Sequence, residues 1–153
     1  MGFCEGENGQ KLETDPRFPS GEWEGFYIYG FGPNARHFIS CYMTFQEGKV
    51  SGAGVDDIDR FIWKGSYDIE RGRCALHKYY PTHDVFYDGY AEKNGIWGSW
   101  EITGPIPSRG GFHLWPKGLY ESIAKGEEEE VPDYVENEFR VLEVTLGRGR
   151  KTL

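Results

Sequence analysis

From residue 21 to residue 117, large apolar side chains alternate with polar ones in short stretches, and turn residues separate one stretch from the next. Alternation with a period of two is typical of a β-strand that buries one face. The connectors are mostly of hairpin length, so consecutive strands are expected to pair side by side. The pattern therefore predicts an antiparallel meander. Its eight strands are expected at residues 22–30, 36–46, 49–56, 59–68, 72–80, 83–91, 95–102 and 110–116.

Several of these strands carry a glycine between large residues of the same face. A glycine lets a strand bend sharply while its neighbouring rings cover the gap, and such bends allow a meander to close on itself. We therefore predict an all-β fold, a single eight-stranded antiparallel up-and-down barrel. The repeated pattern consists of Trp23-x-Gly25-x-Tyr27, Trp63-x-Gly65-x-Tyr67, Tyr87-x-Gly89 and Ile96-x-Gly98-x-Trp100.

The charged residues of the strands distinguish the two faces of the sheet. Glu24, Lys64, Asp88 and Glu101 are costly to bury, so they define the outer face. The opposite face is then the lumen. It is expected to receive Trp23, Gly25, Tyr27, Tyr29, Ile39, Cys41, Met43, Phe45, Phe61, Trp63, Gly65, Tyr67, Val85, Tyr87, Ile96, Gly98, Trp100 and Ile102.

The two ends of the predicted barrel differ in polarity. In a meander, odd-numbered strands end at the same rim at which even-numbered strands begin. One rim is therefore polar and open, with inward-facing Tyr29, His37, Lys78, Tyr80 and His83. The other rim is expected to be plugged by Trp23, Phe45, Tyr67 and Cys74.

The composition changes on both sides of this segment. Residues 1–20 are polar and show no apolar period, so we predict a flexible arm. Residues 118–153 form an acidic C-terminal extension, with a short helix expected over residues 117–125 and a strand or an amphipathic turn over residues 139–146. A chain of 153 residues with 16% aromatic content has the length and the side chains for one core.

Several classes of protein are excluded by composition and motif. No apolar run approaches the roughly 20 residues of a membrane helix, and a signal-peptide pattern is missing, so we expect a cytoplasmic protein without a membrane partner. The net charge of −8 argues against nucleic-acid binding. Cys4, Cys41 and Cys74 lack metal-ligand spacing, and no phosphate-binding or dinucleotide motif occurs. We predict no metal and no cofactor.

The start of the first strand, Gly21-Glu22-Trp23, is similar to the GxW motif of the calycin group, which includes lipocalins and avidin-like proteins. This resemblance covers residues 21 to 117. It implies a barrel that binds a small ligand, with Trp23 over the closed end, in agreement with the strand order. No ligand residue of these families can be aligned with the chain.

The inward polar residues of the open rim are the predicted ligand site. Strand alternation aims Lys78 into the lumen between Leu76 and Tyr80, where a cation needs a partner. Together with tyrosines and histidines it is predicted to bind the carboxylate or phenolate end of a small, partly apolar ligand. Alternatively, Lys78 extends out of the rim into water. The predicted site residues are Tyr27, Tyr29, His37, Trp63, Lys78, Tyr80, His83, Tyr87 and Trp100.

The cluster of Asp56, Asp57 and Asp59 lacks the ligand spacing of a calcium loop. We interpret it as a hairpin turn at the open rim. Its charge is expected to neutralise Lys78 or a histidine across the mouth.

Two other functions are compatible with the same barrel. A lumenal set of Lys, His and Tyr suits an enzyme that transfers protons on a bound ligand, as an isomerase or a decarboxylase does. Alternatively, the lumen is packed solid, and outer aromatic residues form a face for a protein partner or a homodimer. Those residues are Phe26, Tyr42, Phe86, Tyr90 and Trp97.

Overall fold

The computed structural model describes residues 11–122 and confirms the predicted all-β fold, a closed barrel of eight antiparallel strands in meander order. Each strand begins and ends within about two residues of the predicted position. Among the described residues, no helix has the length and apolar character needed to cross a bilayer. The strands are β1 (Gly21–Tyr29), β2 (His37–Gln46), β3 (Lys49–Asp56), β4 (Arg60–Asp68), β5 (Arg73–Tyr79), β6 (Asp84–Glu92), β7 (Gly95–Ile102) and β8 (Ser108–Pro116).

The first and last strands pair to close the barrel. β1 and β8 run antiparallel in a register that extends from Trp23 opposite Pro116 to Tyr29 opposite Gly110. On its other side, β1 pairs with β2, from Gly21 opposite Met43 to Tyr27 opposite His37. Closure leaves no unpaired sheet edge among these strands.

The lumen is filled mainly by aromatic and aliphatic side chains, as the alternation predicts. A single buried cluster includes side chains from every strand, among them Trp63, Leu76, Trp100 and Phe112. Neighbouring rings pack at steep angles, as in the contact between Trp63 and Tyr87 at 4.9 Å and 87°. Edge-to-face packing of this kind suits aromatic quadrupoles and fills the interior closely.

The glycines of the aromatic pattern permit a close approach of neighbouring strands. Gly98 of β7 lies opposite Gly89 of β6. A Cβ atom on Gly98 would lie 2.1 Å from the carbonyl oxygen of Asp88 and 2.6 Å from the Cα atom of Gly89. Only glycine fits this position without displacing the backbone of β6.

Replacing Gly98 with alanine should therefore lower the free energy of unfolding by about 1–3 kcal/mol, because the added methyl group overpacks a rigid backbone contact. Denaturant titration followed by tryptophan fluorescence measures this change. Ser99→Ala is the control, since Ser99 is the exposed neighbour on the same strand. Equal stability of G98A and S99A would show that the steric argument is wrong.

The closed end of the barrel is plugged by a residue that precedes the first strand. Phe18 is fully buried against Phe45 and Tyr67, with ring centroids 5.4 and 4.7 Å away. The indole of Trp23 donates to the carbonyl oxygen of Pro19 at 2.9 Å, which places Trp23 at this end as predicted. The prediction of a flexible arm is thus corrected for residues 11–20, while residues 1–10 lie outside the described part.

Residues 11–20 are held at the closed end by polar contacts as well. The Tyr67 hydroxyl donates to Glu13 at 2.6 Å, and the Phe45 amide donates to the Ser20 hydroxyl at 2.9 Å. Arg17 donates to the carbonyl oxygen of Ile69 at 2.6 Å. The sequence pattern missed this segment because its contacts follow no strand or helix period.

The outer aromatic residues fall into two groups. Phe26 is buried on the outer face, with an edge contact to Trp115, and Trp97 is half-buried beside it. Tyr42, Phe86 and Tyr90 are exposed. A homodimer through this outer face stays a prediction. Of the five outer aromatic residues, only Tyr42, Phe86 and Tyr90 are exposed enough to form its interface.

A short helix, α1 (Leu119–Ser122), follows the barrel within the predicted helical segment. Tyr120 of α1 packs against Trp115 at 5.0 Å and donates to the carbonyl oxygen of Asn94 at 3.1 Å. This contact covers part of the outer face of β8. The predicted element at residues 139–146 and the rest of the acidic extension lie outside the described residues.

Candidate functional site

A small cup opens at the predicted polar rim of the barrel. Its volume is about 60 Å³, and it is open to solvent. Ligand pockets that enclose a drug-sized molecule measure about 300–1,000 Å³, so the cup has room for one end group. It is lined by six of the nine predicted site residues, Tyr27, Tyr29, Tyr80, His83, Tyr87 and Trp100, together with Ile58, Val85 and Ile102.

Lys78 lies beneath the cup as a buried cation. Its side chain and that of Asp56 are both 0% exposed, and Lys78 Nζ donates to Asp56 Oδ2 at 2.5 Å. It also donates to the Tyr87 hydroxyl at 3.1 Å. The alternative in which Lys78 extends into water is therefore wrong, because β5 carries the side chain inward and Asp56 holds it there.

Aromatic rings surround the Lys78 ammonium group on several sides. Its nitrogen lies 4.3 Å from the ring centroid of Phe61 and 4.9 Å from that of Tyr80. The rings of Tyr87, Tyr27 and Trp63 follow at 5.1 to 5.4 Å. These cation–π contacts offset part of the cost of removing the ammonium from water.

The hairpin between β3 and β4 positions the Asp56 carboxylate. Its Oδ1 atom accepts from the amides of Ile58 at 2.9 Å and Asp59 at 3.3 Å, which fixes an Asx-type turn. Its Oδ2 atom accepts from Lys78 and from the Tyr80 hydroxyl, each at 2.5 Å. Both oxygens of this buried carboxylate are thus satisfied.

Asp57 forms a second polar cluster beside the first. The Tyr27 hydroxyl donates to Asp57 Oδ1 at 2.6 Å, and His37 Nδ1 lies 2.6 Å from Asp57 Oδ2. The rings of Tyr27 and His37 stack at 4.8 Å. Burial raises the pKa of Asp57, but the hydrogen bonds from Tyr27 and His37 outweigh that effect, so the net pKa is lowered.

The burial of the remaining groups sets their protonation states. Burial lowers the pKa of Lys78, although the hydrogen bond and charge of Asp56 oppose that shift. Burial raises the pKa of Tyr80 and Tyr27, and their hydrogen bonds to aspartates add to the effect. Burial also raises the pKa of Tyr87 well above its ordinary value. All three phenols are therefore neutral hydrogen-bond donors at physiological pH.

The other predicted site residues differ in how deeply they are buried relative to the cup. Trp63 is buried below the cup against Tyr87, and its indole N–H has no hydrogen-bond partner among the described residues. His37 lies beside the cup and is half-buried, whereas His83 is exposed and stacks on Tyr80 at 4.8 Å. Within residues 11–122, no three side chains of His, Cys, Asp or Glu converge as metal ligands do.

Asp56 and Asp57 were predicted to lie in a turn but were not among the predicted site residues. The expectation that this turn neutralises Lys78 or a histidine is confirmed by the contacts of Asp56 and Asp57. Period-two alternation along β3 could have identified Asp56 as a site residue, since Asp56 lies on the same inward face of the strand as Val50. No such signal marks Ile58, whose place depends on the hairpin conformation.

Comparison with known proteins adds no relative. No protein-family model, no curated protein and no solved structure matches this chain.

The arrangement is therefore described by its chemistry alone. Rings and aliphatic side chains form the walls of the cup, while a neutralised ion pair lies below. The hydroxyls of Tyr29 and Tyr87 donate to no described residue. Such a site can bind the end of a molecule by ring contacts and hydrogen bonds.

Proposed function

We propose that the protein binds a small, partly apolar ligand whose polar end enters the cup at the open rim. The observation that carries this proposal is the fully buried Lys78–Asp56 ion pair under an aromatic-lined opening. Apolar side chains of similar volume would often stabilise a fold as well as a buried pair does. Buried charges beside an opening are therefore candidates for a functional role.

The hydrogen-bonding capacity of the cup favours an oxygen acceptor on the ligand. The Tyr87 hydroxyl accepts from Lys78, which makes its own proton a stronger donor. The Tyr29 hydroxyl lies at the same opening and has no hydrogen-bond partner within residues 11–122. A phenol or carboxylate oxygen can accept from these donors, whereas an ammonium group cannot.

The ion pair also limits the part that charge plays in this recognition. Asp56 neutralises Lys78, so Lys78 supplies polarisation through Tyr87 rather than a free positive charge. A phenol is therefore expected to bind about as well as a carboxylate.

Membership of the calycin group and a cytoplasmic location remain part of the proposal. The closed meander barrel and the position of Trp23 support membership of the calycin group.

An NMR titration with phenol, benzoate and benzylammonium tests the proposed function. We expect phenol and benzoate to shift the indole N–H signal of Trp100, which lines the cup. The Trp23 signal, from the closed end, is the internal control. Tyr29→Phe and Tyr87→Phe should each weaken binding by roughly three- to tenfold, the value of one hydrogen bond.

Tyr67→Phe is the matched control variant because Tyr67 lies at the closed end. The Tyr29 hydroxyl makes no hydrogen bond to a described residue, so Y29F tests the site without disturbing the ion pair. No shift of the Trp100 signal with phenol or benzoate, or equal shifts with benzylammonium, would overturn the proposal.

Proton transfer on the bound ligand is the second candidate function. The observation that favours it is the Lys78–Tyr87 hydrogen bond, which links a buried ammonium to the wall of the cup. On this route the proton passes through Tyr87, so Y87F should abolish turnover and not only weaken binding.

A further inference from the structure

A second and larger cavity adjoins the cup on the outside of the rim. It is a groove of about 510 Å³ between the loop that follows β7 and the loop that follows β1. Phe31, Ile102 and Pro107 are the larger apolar residues that line it. The side chain of Phe31 is 71% exposed, so its ring is accessible to a ligand in the groove.

The cup and the groove share a wall. Ile102 lines both cavities, and it also packs against the barrel core, which fixes its position. The two cavities are therefore neighbours on either side of Ile102. A ligand that extends out of the cup past Ile102 would reach the groove that Phe31 lines.

The charges along the groove balance each other. Glu101 and Arg109 both line it, and they lie directly opposite each other in the β7–β8 register. Their charges are equal and opposite, so the groove offers no net charge to a ligand. Burial of apolar surface is then the main source of affinity available there.

We propose that the ligand is an amphipathic molecule of two parts, with a compact oxygen-acceptor head in the cup and an unbranched or aryl-alkyl tail along the Phe31–Ile102 groove. This inference rests on the proposed function of the cup. It adds the tail, which the cup of about 60 Å³ has no room to hold. The groove of about 510 Å³ accommodates several methylene groups.

A series of 4-alkylphenols of increasing chain length tests this division. Phenol itself reports the head site alone. Each added methylene that enters the groove should tighten binding by about threefold to fourfold, the equivalent of burying one CH₂ group. The gain should end once the tail extends past Phe31. Dissociation constants are measured by NMR titration of the full chain.

Phe31→Ser and Phe38→Ser form a matched pair of variants. The two side chains are 71% and 70% exposed, but Phe38 lies on the outer wall of β2, away from the shared wall of the cup and groove. F31S should reduce the gain per methylene without changing the affinity for phenol. F38S should leave both unchanged.

The outcomes separate this inference from the function on which it rests. If phenol and its longer homologues all fail to bind, the proposed function and the inference are both wrong. If phenol binds with no gain along the series, or if F31S and F38S behave alike, only the tail site is wrong. A larger effect of F38S would place the tail on the outer wall instead, and would overturn the inference as well.

Discussion

Replacing Lys78 with methionine should lower the free energy of unfolding by about 3–5 kcal/mol, although methionine fits the same volume. The substitution leaves the Asp56 carboxylate without its cation at a position where both side chains are 0% exposed. Only Tyr80 and two backbone amides then remain to stabilise the negative charge. Denaturant titration measures the loss.

A double-mutant cycle shows whether the loss comes from the unpaired charge. Asp56→Asn alone should also destabilise, since it leaves Lys78 as an unpaired buried cation. The K78M/D56N double variant should cost clearly less than the sum of the two single losses. Additive losses would mean that the two groups do not depend on each other, and would contradict the proposed pair.

Arg73→Met serves as the surface control for this cycle. Arg73 and Asp88 form an ion pair at 2.6 Å, comparable in length to the buried pair, but both side chains are exposed. Water and salt screen that pair, so its loss should be much smaller than the loss in K78M. If R73M were as damaging as K78M, burial would not explain the effect.

The strands and their faces were predictable from local features. Turn residues mark the ends of the strands, so β3 was placed at its observed bounds of Lys49–Asp56. Charged residues such as Lys64 and Asp88 mark the outer face, and period-two alternation then assigns the rest. The same alternation located Lys78 in the lumen, because a strand leaves no freedom about which face a residue takes.

Features that depend on long-range packing were not predictable. Phe18 plugs the closed end through contacts with β2 and β4, and no periodic pattern precedes it. The outer residues Phe26 and Tyr42 look alike in sequence, yet only Phe26 is buried. The size of the cup depends on how the rings pack, which residue identities alone do not specify.

The chemistry of the site was predicted in part. A buried lysine needs a partner, and Asp56 was one of the acidic residues expected nearby. The sequence could not show that Asp56 neutralises Lys78 completely, because that depends on the hairpin turn at Ile58 and Asp59. Lys78, predicted to bind a carboxylate or phenolate, is instead paired with Asp56 beneath a hydrogen-bonding cup.

Alkaline pH should unfold the protein steeply, because folding holds protons on buried phenols. Burial and hydrogen bonds to aspartates raise the pKa of Tyr27 and Tyr80, and burial raises that of Tyr87. Burial, together with the hydrogen bond to Glu13, raises the pKa of Tyr67 to about 12. In the unfolded chain these phenols lose their protons near pH 10. Above that pH the folded state holds more protons, so its stability falls as pH rises.

Two buried thiols and the Lys78 ammonium group also change the stability of the fold in this pH range. Burial raises the pKa of Cys41 to about 11 and that of Cys74 to about 12, so these thiols begin to destabilise the fold near their ordinary pKa of 9.0. The contribution of Lys78 to the pH dependence of stability has the opposite sign, because burial lowers its pKa. Between that lowered pKa and 10.5, the unfolded state holds the extra proton, and stability rises with pH. The steep loss is therefore expected above pH 10.5.

Each buried phenol contributes a slope of about 1.4 kcal/mol per pH unit, so the four together contribute about 5.5 kcal/mol per pH unit. Denaturant titrations from neutral pH to about pH 11 measure this slope. Tyr80→Phe removes one ionisable group and should reduce the slope by about 1.4 kcal/mol per pH unit. An unchanged slope in Y80F, or tyrosine ionisation without unfolding, would show that water reaches these hydroxyls in the folded barrel and that the lumen is more open than its packing indicates.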